Sequence, residues 1–388
     1  MRWNIDESNQ DTGLPLEGIR ILDFARVVAG PLVGMVAGDL GADVIKVESP
    51  AGDPVRSMAP PTYDGLSTYY LSVNRHRRNV VADLTNPRDR AAIMELLGQA
   101  DAVIENFLPS QYRSLNIAEL RAVNPDLVWV SVTGASSDQP LALEPSFDVL
   151  AQARSGIMSV TGEAQGPPTK VGAPIADVVT GLYATIGLLS GLLARQAGRP
   201  GRHFEASLLE STMSALVNQA QGYLAADVVP TRRGNEHPSI VPYGPLTASD
   251  GQLMVAVGTD AQFARLIDVI GDETLLVAAA QWGSNTERVA DRENLLITLN
   301  RCFATQTKEE WAQRLSEAGI PCAPILAVDE AFAQSTIREG DFVGLMDVPG
   351  GRVRSMRSPL RIDGKRPVIR RGPRELGQDS AELLGPSA

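Results

Sequence analysis

The sequence predicts an α/β protein built on a doubly wound parallel sheet, and three observations carry that prediction. First, IRILDFA (19–25) and DVIKVES (43–49) are β-branched runs flanking the small-residue stretch GPLVGMVAGDLGA (30–42), a strand–helix–strand unit. Second, the alternation continues through an amphipathic helix at 87–100, DAVIENF (101–107) and a strand within 124–136. Third, strands recur between helices in this order, an alternation that favours a doubly wound sheet with a ligand at the carboxyl ends of its strands.

Each element follows from local chemistry. Residues 1–14 are polar and acidic and read as a tail, not a signal peptide. The first strand–helix–strand unit lacks a GxGxxG turn, so a nicotinamide site is disfavoured even though Glu48 closes its second strand. Residues 50–70 form a Pro/Gly-rich loop. Arg75, His76, Arg77 and Arg78 then form a basic cluster, either a solvated turn or a phosphate contact. The helix expected over 145–162 precedes a long apolar stretch in which Asp177 stands alone. No Asp, Glu, Lys or His follows Asp177 until Arg195 has passed. An Asp there suits a helix start, and it also suits a nucleophile or base against a dry wall. The run 178–194 is short for a membrane span and rich in small residues, so a buried packing helix is expected. A turn at 198–202 ends it, and HFEASLLES is read as resuming the helical pattern. Asp250–Gly251 marks a hairpin that opens a smaller α+β domain. The expected boundaries are a large domain over 15–220, a small one over 221–325, and a return to the large domain over 326–388.

Composition limits the function. With 35 basic and 46 acidic residues the net charge is −11, which disfavours nucleic acid as a partner. Two cysteines, Cys302 and Cys322, form no disulfide framework and fit a reducing cytoplasm. No Cys/His cluster asks for a metal.

Several separated stretches together resemble the class III CoA-transferases: DFARVVAGPLVGMVAGDLGADVIKVESPAGDPVR, ENFLPS, GAPIADVVTGLYATIGLLSGLLARQAGRPGR, GNEHP and IPCAPILAVDEAFA. The resemblance spans about 14–384. It implies a Rossmann-like large domain, an interlocked homodimer, coenzyme A as part of an acyl-CoA substrate, and a small carboxylic acid as the other substrate. It also implies that Asp177 carries the acyl group and then CoA. Arg26, Val28, Ala29, Arg75, Arg78, Leu84, Asn106, Phe107, Arg113 and Thr133 are the positions it puts near CoA. His237 falls in the family's GN-x-HP stretch, with roles at the site mouth or in the loop both open. CoA-ester racemases of this fold carry a His where this chain has Phe147, and Phe supplies neither acid nor base. A racemase, or a non-catalytic CoA-binding protein, is therefore the secondary expectation. Val28 replaces the Gln of formyl-CoA transferases, and Ser49 and Ser114 replace common arginines.

Overall fold

A computed structural model describes residues 13–385, so residues 1–12 of the expected tail lie outside the described residues. The chain divides into two compact units. One comprises the residues up to 158, 170–229 and those from 334 onward; the other comprises 159–169 and 230–333.

The first unit holds a six-stranded sheet. Its strands are β1 (Arg20–Asp23), β2 (Asp43–Glu48), β3 (Arg77–Val81), β4 (Ala102–Glu105), β5 (Val128–Thr133) and β6 (His203–Ser207). All pairings are parallel, and the spatial order is β3-β2-β1-β4-β5-β6. The order reverses between β1 and β4. A crevice therefore opens where Phe24–Ala29 and Asn106–Pro109 leave the sheet.

Both faces of the sheet are covered, which is why its strands read as nearly continuous apolar runs. On one face, α1 (Ala29–Asp39) and α4 (Ile175–Gln196) bury Val33, Ala184, Leu188 and Leu192 against Val128 and Val130. On the other, α2 (Pro87–Gly98) packs Ile93 and Leu97 against Leu22, Ile45 and Val103. The small residues of the long apolar helix have a steric purpose. A Cβ on Gly181 would meet the Ala29 carbonyl oxygen at 2.8 Å, so glycine lets α1 and α4 touch one turn beyond Asp177.

Two expectations change here. The segment 203–207 is the edge strand β6, not a resumed helix. Phe204 and Ala206 turn inward while His203 and Glu205 turn outward, a period of two that five residues barely display. The helix α4 is also not buried throughout. Leu182, Tyr183, Ile186 and Leu193 are 49–68% exposed on its outer face.

The second unit is α+β. Strands Tyr243–Ala248 and Gly251–Ala256 form a hairpin turning at Ser249–Asp250, and Cys322–Pro324 joins its far side antiparallel. Helices Asp260–Ile270, Arg292–Phe303 and Lys308–Glu317 cover one core around Trp282, Phe303 and Trp311. Cys302 and Cys322 are both free. His237 packs its ring on Tyr243 within this unit, and its Nδ1 accepts from the Ser239 N–H, which is loop stabilisation.

Candidate active site

At the crevice between β1 and β4 lies a cavity of about 530 Å³, lined among others by Arg26, Val28, Ala29, Phe147 and Asp177. Asp177 is the third residue of α4 and only 7% exposed. Among the described residues its carboxylate has no hydrogen-bond or ion-pair partner. A buried carboxyl without compensating donors resists ionisation. Burial, reinforced by the nearby Asp148 carboxylate, pushes the Asp177 pKa up to about 7.

At the start of α4 the Ala176 N–H is directed to Asp148 rather than to Asp177. Asp148 opens α3 (Asp148–Arg154), and its Oδ1 accepts the Ala176 N–H at 2.8 Å. Gln152 braces this arrangement, donating to Asp148 Oδ2 at 2.7 Å and accepting from the Val171 N–H at 2.8 Å. Asp177 thus stands at the helix start without capping it; a residue 29 positions earlier does so instead. Tyr69 also belongs to this neighbourhood. Its hydroxyl is pushed above the usual tyrosine value by burial and then by Asp177 and Asp148.

This geometry makes a pH prediction. An Asp177 nucleophile is active only when ionised, so kcat/KM is expected to rise with pH through a limb near 7. Asp148→Asn removes the like charge but keeps an oxygen for the Ala176 N–H. The limb is expected to move to lower pH, which a pH–rate profile of the two proteins reads directly.

Beyond Asp177, the cavity gathers Asn106, Phe107, Arg113 and Thr133 along with Arg26, Val28 and Ala29, all expected from sequence. Leu84 lies instead in an adjoining hollow of about 200 Å³ with Ser49, and Arg26 and Phe107 border both spaces. Among the described residues the Arg113 side chain has no hydrogen bond or ion pair, and the Arg26 side chain has one long contact, 3.4 Å, to Gln111. Two cations are therefore available to anionic groups in an acidic chain. Asn106 differs from expectation in one respect: its side chain is committed to the Arg26 backbone, accepting from N–H at 3.0 Å and donating to C=O at 2.9 Å.

Arg75 and Arg78 line neither space, and the phosphate contact expected of them is corrected. Arg75 is buried in a two-pronged pair with Asp39, at 2.7 and 2.6 Å. Arg78 pairs with Asp43 and Glu382, and the intervening Arg77 is buried against Asp23. Arg75 and Arg77 supply buried counterions to carboxylates inside the fold, while Arg78 pairs with carboxylates at a partly exposed edge. Glu48 is similarly committed. Burial opposes its ionisation, but Arg56, Lys46 and the Asp53 N–H overcome this and bring its pKa down to about 2.

Of the wall formed by β5 and β6, sequence reasoning named Thr133 and missed the rest. There His203 Nε2 lies 2.7 Å from Ser131 Oγ, and Ser131 donates in turn to the buried Glu105. Tyr112 and Trp129 also donate to Glu105, whose pKa burial nevertheless raises. Glu205 accepts from Thr133 and from both Ser137 donors. The available signal was the alternation of polar and apolar residues in HFEAS, with one of only three histidines at its head.

Comparison with known proteins agrees with this architecture. The model of CoA-transferase family III matches residues 16–380. The chain is 34% identical over 384 residues to a succinate–glutarate CoA-transferase of Agrobacterium fabrum, covering 95% of each protein. It is 33% identical over 389 residues to the succinyl-CoA:glutarate CoA-transferase of Mus musculus, covering 97% of this chain and 87% of that one. A crystal structure of a CAIB/BAIF family protein from Brucella suis superposes with a TM-score of 0.83 at 34% identity, covering 96% and 99% of the two chains. A parallel sheet with its cavity at the switch point, one isolated carboxyl in that cavity, and a family match over nearly the whole length thus coincide, and the chain belongs to CoA-transferase family III as a class III CoA-transferase.

Proposed function

We propose that this enzyme moves CoA from an acyl-CoA to a carboxylic acid with Asp177 as the covalent carrier. The observation that carries the reading is the unpartnered, nearly buried Asp177 carboxyl facing the cavity. A group stabilised by no neighbour keeps its nucleophilicity once ionised, and a dry surrounding protects an anhydride from water.

An Asp177 oxygen attacks the thioester carbonyl carbon, the carbon–sulfur bond breaks, and CoA leaves as thiolate. The product is a mixed aspartyl–acyl anhydride. The thiolate then attacks the aspartyl carbonyl, the anhydride carbon–oxygen bond breaks, and the donor acid leaves as its carboxylate. The aspartyl-CoA thioester that remains is attacked by the acceptor carboxylate, which forms the second anhydride and frees thiolate again. Attack of that thiolate on the acceptor's acyl carbon yields the new acyl-CoA and regenerates Asp177. The pKa near 7 suits both halves, since the same group must act as nucleophile and as leaving group.

The adjoining hollow beside Ser49, Leu84 and Phe107 is assigned to the adenine end of CoA, and Arg26 and Arg113 to anionic groups of the substrates. The relatives named above act on succinate and glutarate, so a dicarboxylic acid is the proposed substrate class. Phe147, 53% exposed and on the cavity wall, offers no second base and weighs against racemisation. Chromatographic assay of glutaryl-CoA formed from succinyl-CoA and glutarate tests the reading. Formation at a rate proportional to enzyme supports it; absence of any acyl exchange, with deuterium entering an α-carbon instead, sinks it.

A homodimer is part of the proposal, supported by the apolar strip Leu182, Tyr183, Ile186 and Leu193 on α4. Sedimentation of the full chain is expected to give twice its 41.4 kDa mass. A monomer at micromolar concentration would contradict it.

A further inference from the structure

The loop between β1 and α1 forms one wall of the cavity, and it is held in an unfavourable conformation. Val27 has φ +71°, a left-handed value that a β-branched side chain adopts at a steric cost. Four side chains from separate places at the carboxyl ends of the strands grip the loop. Asp23 Oδ1 accepts the Ala25 N–H at 2.9 Å, and Lys46 Nζ donates to the Ala25 carbonyl at 2.9 Å. Asn106 holds both backbone groups of Arg26, and Asp53 Oδ1 accepts the Val27 N–H at 3.2 Å. Behind the loop, Lys46 and Asp53 pair at 2.8 Å with side chains 1% and 0% exposed. Glu48 fixes Asp53 in turn by accepting its N–H at 2.6 Å.

Stability alone does not explain this pair. Buried ion pairs are often replaceable by apolar side chains without loss, because desolvation offsets their attraction. What these groups achieve is geometric: they determine where Val28 and Ala29 stand. The Ala29 carbonyl packs against Gly181, one turn along α4 from Asp177.

We propose that Asp53 and Lys46 are positioning residues for CoA transfer, holding Val27 in its left-handed turn so that Val28 and Ala29 form the wall facing Asp177. The inference rests on the transferase reading for its kinetic consequence, but its structural part stands independently. Neither side chain touches the cavity; both act through the loop.

The test replaces the pair by apolar groups, Asp53→Leu with Lys46→Met, so that no lone charge is left buried. This variant is expected to fold. Its kcat is expected to fall about 100-fold, as a small misplacement of a reacting wall does, with KM for acyl-CoA within about threefold of wild type. Adding Val27→Gly, which makes the left-handed turn accessible without steric cost, is expected to recover at least about tenfold in kcat. Amide hydrogen exchange on the substrate-free proteins reads the loop separately. Exchange at Arg26, whose bond to Asn106 the substitutions leave in place, is expected to accelerate at least about tenfold in the Asp53→Leu/Lys46→Met protein. Wild-type-like kcat, a loss that Val27→Gly leaves unchanged, or unchanged exchange at Arg26 overturns the proposal. A wild-type enzyme that transfers no CoA would sink the transferase reading, while the exchange measurement still decides whether the cradle shapes the loop.

Discussion

Asp177→Asn is expected to reduce CoA transfer by at least about 10⁴-fold, the scale of losing a covalent nucleophile. The same protein is expected to be more stable than wild type at alkaline pH. The folded-state pKa of Asp177 is raised to about 7 from the ordinary aspartate value of 3.8. Between those values the folded state binds a proton that the unfolded chain releases. Stability contributed by the neutral form is therefore lost as pH rises from about 4 to 7, and the full penalty remains above that window. By the raised pKa this is of the order of 4 kcal/mol. Asn resembles the neutral acid in shape and carries no such penalty. Denaturant titrations should show nearly equal stability at pH 4 and an advantage for Asp177→Asn that grows toward pH 8. A constant difference across pH would mean that Asp177 finds a charge partner in solution. Opposed effects on activity and stability from one substitution identify a group placed for chemistry.

Asp39→Ala is expected to cost about 3–5 kcal/mol, because it leaves Arg75 charged and without its carboxylate inside the protein. Both side chains are at most 5% exposed, and two hydrogen bonds of 2.7 and 2.6 Å join them. Replacing both by apolar residues, Asp39→Leu with Arg75→Met, should recover most of the loss, since it removes the stranded charge as well. In neither protein is KM for acyl-CoA expected to change beyond about threefold at a temperature where the fold is intact, a shift of less than 1 kcal/mol. Equilibrium unfolding and steady-state kinetics measured together decide the matter. A stable Asp39→Ala enzyme with a much higher KM would return Arg75 to the substrate.

The contrast between these two residues shows what the sequence made legible. Asp177 stood out because it was a lone carboxylate at the head of an apolar run within a distinctive family motif. The sheet was legible for a similar reason: parallel strands covered on both faces are apolar throughout, and helices separate them. What determines the behaviour of Asp177 was not local. Burial by the folded chain raises the Asp177 pKa, Asp148 arrives from 29 residues upstream to cap α4 and raise it further, and nothing near position 177 announces either. The Arg75–Arg78 cluster misled for the same reason. Its counterions Asp39, Asp23 and Asp43 are 36, 54 and 35 positions away from Arg75, Arg77 and Arg78. Only folding turns an apparent basic surface into ion pairs, those of Arg75 and Arg77 buried. Strand β6 was obscured because a five-residue edge strand next to a helix offers too few residues to separate a period of two from 3.6. With β6 went His203 and Glu205, which complete the polar wall of the cavity.

In the proposed route Asp177 carries the acyl group and then CoA. This is tested most directly by quenching the enzyme during turnover with succinyl-CoA and sequencing its peptides by mass spectrometry, with hydroxylamine and borohydride trapping in parallel. A CoA thioester, or its hydroxamate or reduced derivative, is expected on Asp177 alone, and none in Asp177→Asn. Turnover of succinyl-CoA with an unmodified Asp177, or with the adduct on another residue, would contradict it.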